Sequence, residues 1–448
     1  MNLVYHSTRN SEETATASEA ILKGLTSDGG LFVPDSIPKL NVALEDLTKM
    51  SYQEIAYAVM KEFLTDFTEE ELKTCINNAY DSKFDTEEIA VTKKVDGAYY
   101  LELFHGATIA FKDMALTIMP YLLKTAIKKN NLQEEVVILT ATSGDTGKAA
   151  LEGFKDVEGT CIKVFYPLDG VSTIQQQQMV SQEGKNVKVV GIHGNFDDAQ
   201  SAVKVAFGDK MLKEVSDQHH VFLSSANSIN VGRLIPQIVY YFHSYFELVR
   251  NKEIEMGDQV NFCVPSGNFG NITAGLFGKK MGLPVKRFIA ANNRNDIFYQ
   301  YLQTGKYNPR PSIATIANAM DVGDPSNFAR VLDLYSGSHA DISAEISGTT
   351  YTDEQIRETV KETWKEHHYL LDPHGACGYR ALVEGLKEGE TGVFLETAHP
   401  AKFLETVESI IGEAVEIPAK LQEFMKGEKK SLQMTKDFAD FKKYLLTL

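Results

Sequence analysis

The sequence predicts an open α/β architecture of mostly parallel sheets with an added N-terminal domain, and three observations predict it. From Tyr99 onward, apolar runs of strand length alternate with helical segments, the pattern of successive βαβ units. Several of these runs are apolar without alternation, as strands covered on both faces are. Residues 1–95 lack the pattern.

Taken in order, residues 24–34 are a turn-rich loop leading into a short apolar segment, and residues 51–80 show helical apolar spacing with many Glu and Lys. Nothing in this opening section carries recognisable chemistry. Strands are expected at residues 99–104, 136–141, 161–166, 187–192, 221–225, 260–264, 287–291 and 393–396. The glutamine run 175–178 is expected on a polar helix face, and residues 420–448 as a charged helical tail. The chain is accordingly divided into an N-terminal domain, residues 1–95, and two α/β domains, residues 96–225 and 226–448, the second ending in the tail.

Composition narrows the function. At 448 residues the chain exceeds one average core. A net charge of −16 without any Lys/Arg block argues against nucleic acid and anionic membranes as partners. Cys75, Cys161, Cys263 and Cys377 lie far apart with no C-x-x-C pair, which argues against a zinc site or a disulfide framework. The start lacks a basic region followed by an apolar stretch, and no run approaches a membrane span. A cytoplasmic protein is expected.

Ligands in open α/β folds gather at the carboxyl ends of strands. The run 99–104 breaks at His105-Gly106 and passes into a helical pattern near Phe111, which puts Lys112 at a helix entry. Apolar neighbours and the positive end of a helix dipole disfavour its ammonium form. Such an amine is a good nucleophile toward a carbonyl at neutral pH. A solvated lysine with its stem on apolar surface fits the same local pattern.

The other turns add to this. After 136–141 come Thr142, Ser143, Gly144, Asp145, Thr146, Gly147 and Lys148, where hydroxyls and backbone N–H groups at a helix start suit a carboxylate or phosphate, or simply cap the helix. The spacing is not that of a P-loop. After 260–264 come Pro265, Ser266, Gly267, Asn268, Phe269, Gly270 and Asn271, whose converging amides suit a phosphate monoester, although a plain glycine turn reads similarly. After the run 391–396, Thr397 offers a hydroxyl suited to a neutral hydrogen bond with a ring nitrogen, or to a helix cap. Residues 225–233 offer Asn227 and the cation Arg233 for substrate contact, whereas residues 318–327 read as a structured loop. The pairs His219-His220 and His367-His368 diverge too far to hold a metal. No Gly-x-Ser-x-Gly elbow or glycosidase carboxylate dyad is present.

A lysine at a helix entry, two anion-cradling loops and a strand-end threonine together ask for a carbonyl cofactor carrying a phosphate, and pyridoxal phosphate meets each demand. Segments 104–113, 142–147, 194–198, 225–230, 265–271 and 318–321 also resemble, in order, those of threonine synthases of the longer bacterial and fungal type, as does 28–34. The resemblance covers most of the chain. It implies the fold type II architecture of pyridoxal-phosphate enzymes, tryptophan-synthase β-like, with an added N-terminal domain. It implies that Lys112 bears the cofactor and acts as catalytic base, and that Gly267, Asn268, Phe269, Gly270 and Asn271 bind the cofactor phosphate. Thr397 would face the pyridine nitrogen. The 142–146 loop would clasp the substrate carboxylate, with Lys148, Asn227 and Arg233 also in the substrate site. The implied reaction converts O-phospho-L-homoserine and water to L-threonine and phosphate. Lys148, Lys163, Arg233 and Arg294 are the cations available for the leaving phosphate. Family members often have proline after Phe-His-Gly, where this chain has Ala107, which loosens a turn beside the site. A phospho-lyase or deaminase giving 2-oxobutyrate on the same skeleton, and a binding homologue without catalysis, are the rival readings.

Overall fold

The structure, a computed structural model, describes residues 2–427 and 429–447. Strands β1 (Tyr5–Ser7), β2 (Thr14–Ala15) and β3 (Phe32–Pro34) form a small antiparallel sheet in the order β2-β1-β3. Helices Ala17–Lys23, Tyr52–Phe63 and Glu69–Ala79 follow within this region, each opened by a capping box: Thr16 with Glu19, Ser51 with Glu54, and Thr68 with Glu71.

The remaining strands are β4 (Val91–Val95), β5 (Ala98–Glu102), β6 (Glu135–Ala141), β7 (Thr160–Pro167), β8 (Val187–His193), β9 (Val221–Ser225), β10 (Val260–Pro265), β11 (Val285–Asn292), β12 (Ile346–Thr350), β13 (Thr391–Glu396) and β14 (Leu432–Thr435). One sheet has the order β12-β11-β10-β13-β5-β4, parallel except where β4 meets β5. The other, β14-β8-β7-β6-β9, is parallel throughout. Helix Ile238–Arg250 is buried from Ile238 to Leu248 and packs against the N-terminal helix Tyr52–Phe63, so the N-terminal region shares one core with the rest. No helix among the described residues is long and apolar enough to cross a membrane.

All eight expected strands form, with ends within two residues of those expected. Three expectations need correction. The division at 95/96 falls inside a hairpin turn, since Asp96 and Gly97 take φ of 44° and 84° between β4 and β5. Asp-Gly is the residue pair that such a two-residue turn favours. Sheet membership also departs from the linear division: β5 joins the sheet of β10–β13, and β14 returns from the tail to β8. The tail is therefore not wholly helical, because β14 lies between helices Ala419–Met425 and Phe438–Leu445. Within the glutamine run, Gln175 and Gln178 are fully buried rather than on a solvated face.

Candidate active site

The carboxyl ends of β5, β6, β9, β10 and β13 open onto one cavity. Residues 109–111 lie beside 397–399 as a short antiparallel bridge. Phe111 N–H donates to the Thr397 carbonyl (2.8 Å) and His399 N–H to the Ile109 carbonyl (3.1 Å). This stitch brings Lys112, at the entry of the one-turn helix Asp113–Leu116, to the same cavity as Thr397. Gly106 is required here, since a Cβ on it would lie 2.5 Å from Asp113. Buried Asp113 accepts from both the N–H (2.8 Å) and Oγ1 (2.6 Å) of Thr108. These bonds fix the turn containing Ala107 without the constraint of a proline ring.

Burial lowers the pKa of Lys112 to about 7, and the Arg233 cation adds to this, against the opposing carboxylate of Asp145. A lysine so shifted is half unprotonated near neutrality. Arg233, only 2% exposed, donates through Nη1 to the Ala226 carbonyl (2.9 Å), while its Nε has no protein partner. Among the described residues no carboxylate pairs with it, and burial lowers its pKa to about 10. A buried guanidinium with neither a counter-ion nor a full set of neutral acceptors is suited to an anion.

The loop after β10 has Phe269 in the left-handed region (φ 64°) at the start of helix Gly270–Met281. Among the described residues, none accepts from the backbone N–H groups of Phe269, Gly270 or Asn271. The loop is braced from behind. Asn268 Nδ2 donates to Ser228 Oγ (2.6 Å), and Asn271 Nδ2 to the Pro265 carbonyl (2.9 Å). A Cβ on Gly267 would lie 2.8 Å from Met320 Cα, and Ala319, Met320 and Val322, in the segment read from sequence as structured loop, line the cavity.

In the 142–146 loop, Thr142 Oγ1 accepts from the N–H of Gly144 (2.9 Å) and of Gly147 (2.7 Å), and Ser143, Asp145 and Thr146 reach the cavity. Asp145 meets the buried Lys402 ammonium at 3.0 Å and Gln175 Nε2 at 3.0 Å. Burial alone would raise its pKa, but these partners outweigh it and hold the carboxyl below its usual value.

Of the four candidate cations, only Arg233 lines the cavity. Lys148 turns away to Glu152 (3.1 Å) and Gln182, over the Phe424 ring. Lys163 lies over Tyr444, and Arg294 is exposed. Asn227 lines the wall but spends its amide on the backbone of Ala141, accepting at 2.8 Å.

Sequence reasoning missed His374. Its Nε2 accepts from Ala319 N–H (3.1 Å), which places the ring proton on Nδ1, 2.5 Å from Asp372 Oδ1. Asp372-Pro373 is a readable helix start, but nothing local signals that this helix faces the cavity. Glu396, beside Thr397, is fully buried, and burial with the Asp372 carboxylate raises its pKa well above the usual range.

A carbonyl-reactive lysine, an uncompensated guanidinium and a row of unbonded amides fit a phosphorylated carbonyl cofactor, and the fold and site define a pyridoxal-phosphate-dependent lyase. The family model described as "Pyridoxal-phosphate dependent enzyme" matches residues 90–397, and two others, "Threonine synthase N terminus" and "Threonine synthase, C-terminal", match residues 4–80 and 375–445. The chain belongs to the threonine synthase family. It is 38% identical to the threonine synthase of Haemophilus influenzae, covering 100% of both chains, and 34% identical to that of Saccharomyces cerevisiae, covering 91% of this chain and 89% of the other. The crystal structure of Escherichia coli threonine synthase matches at a TM-score of 0.89 with 35% identity, covering 99% of each chain. A pyridoxal-phosphate-bound threonine synthase from Brucella melitensis matches at 0.88 with 32% identity, covering 100% of this chain and 99% of the other.

Proposed function

We propose that this chain converts O-phospho-L-homoserine and water to L-threonine and phosphate, in the cytoplasm, with Lys112 as both cofactor anchor and base. Pyridoxal phosphate supplies the electron sink for charge developing at the substrate α-carbon. Gly267, Asn268, Phe269, Gly270 and Asn271 hold its phosphate, and Thr397 offers its ring nitrogen a neutral hydroxyl. The 142–146 loop binds the substrate carboxylate through backbone N–H groups and the hydroxyls of Ser143 and Thr146. Lys112 Nζ, displaced by the substrate amine, takes the α-proton; its pKa of about 7 suits it to hold and return protons at neutral pH. Loss of a β-proton then lets phosphate leave from the γ-carbon toward Arg233; a proton adds at the γ-carbon, water adds at the β-carbon, and the α-carbon regains its proton.

The observation that carries this reading is Arg233: a buried cation with no carboxylate partner among the described residues, in the same cavity as the reactive amine. The cytoplasmic placement is supported by four free cysteines. Lys112→Ala should abolish both turnover and the visible absorbance of the bound cofactor; normal turnover in that variant ends the assignment. With O-phospho-L-homoserine the native protein should form threonine, whereas 2-oxobutyrate as main product would favour the lyase or deaminase alternative.

A further inference from the structure

Arg330 lies outside the cavity and is fully buried on helix Phe328–Leu334. Its Nε donates to the Phe32 carbonyl (3.1 Å), Nη1 to the Ser228 carbonyl (2.8 Å) and Asn327 Oδ1 (2.7 Å), and Nη2 to the Ile229 carbonyl (2.6 Å). Phe32 belongs to β3, and Ser228 and Ile229 follow β9. Asn327 in turn grips the loop after β10: its Nδ2 donates to the Asn268 carbonyl (3.0 Å) and to Ser228 Oγ (3.1 Å), and its N–H to the same carbonyl (3.2 Å). One guanidinium thus joins all three sheets. One turn along the same helix, Asp333 meets His6 Nε2 of the N-terminal sheet at 3.2 Å.

We infer that Arg330 is a positioning residue for the cofactor-phosphate loop, using the N-terminal sheet as its fixed point and Asn327 as the relay to Asn268. The inference rests on the assignment of residues 267–271 to the cofactor phosphate. It gives the N-terminal region a task in cofactor binding although none of its described residues lines the cavity. Charged-group hydrogen bonds with fixed fork geometry suit such a task, and lysine cannot span the same four acceptors.

The test titrates full-length, cofactor-stripped protein with pyridoxal phosphate and with pyridoxal, which lacks the phosphate, for the native chain, Arg330→Lys and Asn327→Asp. Asn327→Asp keeps the acceptor for Arg330 but loses the side-chain donor to Asn268, leaving the backbone N–H alone, and it decides the matter if Arg330→Lys does not fold. The dissociation constant for pyridoxal phosphate should rise about tenfold or more, the usual size of an outer-shell effect, with that for pyridoxal changing less than about twofold. A native chain that does not discriminate between the two ligands overturns the assignment of the loop. A native chain that discriminates, with variants keeping its ratio, overturns the role of Arg330, as does equal weakening of both ligands.

Discussion

Lys112 and Arg233 share a cavity in which the guanidinium adds to the cost that burial places on the lysine's charge. For Lys112 the consequence is measurable as a pH dependence. In the cofactor-stripped chain, its reaction with a carbonyl should rise with pH around a midpoint near 7, against 10.5 for an ordinary lysine; a midpoint in the ordinary range would contradict the site's electrostatics. The same shift makes stability rise with pH between those values, because there the unfolded chain holds the proton and the folded one does not. For Arg233, replacement by methionine should lower kcat/KM about a hundredfold, roughly 3 kcal/mol of lost charged hydrogen bonding. It should not lower the melting temperature, since it removes a buried charge with no counter-ion. Unchanged kinetics would remove Arg233 from the phosphate site. These residues were legible because each follows a strand in a distinctive turn. His374, Lys402 and Arg330 were not, because their partners lie 55, 294 and up to 298 residues away.

Among the elements, the 142–146 loop and the turn that carries Lys112 are joined by one ammonium. Lys402, fully buried after β13, meets Asp145 of the 142–146 loop at 3.0 Å and donates to the Thr108 carbonyl of the Lys112 turn at 2.9 Å. Its own carbonyl accepts from Ser172 Oγ (2.8 Å), at the cap of helix Thr173–Val180. Removing one member of a buried pair strands the other, so Lys402→Met should destabilise by about 3–5 kcal/mol in denaturant titration, and adding Asp145→Asn should restore part of the loss. Because the Asp145 carboxyl sits below its usual value of 3.8, its contribution is present above that pH and is lost as pH falls further. The Lys402→Met variant should lack this acid limb. The strands missed in the α/β region, β4, β12 and β14, are all sheet edges. Half-covered and polar, as in Ile346-Ser347-Gly348-Thr349-Thr350, they lack the unbroken apolar run that marks a central parallel strand.

In the whole molecule, chain order and spatial order part company. The C-terminal segment returns to lay β14 on β8 and helix Phe438–Leu445 on the same sheet, where the Phe441 ring lies 4.4 Å from that of Phe165. Truncation before residue 429 would uncover the β8 edge and remove two buried side chains, Phe441 and Leu445, each worth about 1.5–3 kcal/mol. Such a chain should elute as aggregate in size-exclusion chromatography, and native-like elution would show that the tail is dispensable. Local pattern identifies a strand but not the partner beside it, which is why the two sheets were recognisable in kind and not in membership.

In the proposed reaction, water enters at the β-carbon while phosphate departs with its own oxygens. The cofactor-loaded protein should be incubated with O-phospho-L-homoserine in ¹⁸O-labelled water, and the products analysed by mass spectrometry. Threonine carrying one labelled hydroxyl together with unlabelled phosphate is the result expected. Labelled phosphate with homoserine, or 2-oxobutyrate in place of threonine, would contradict it.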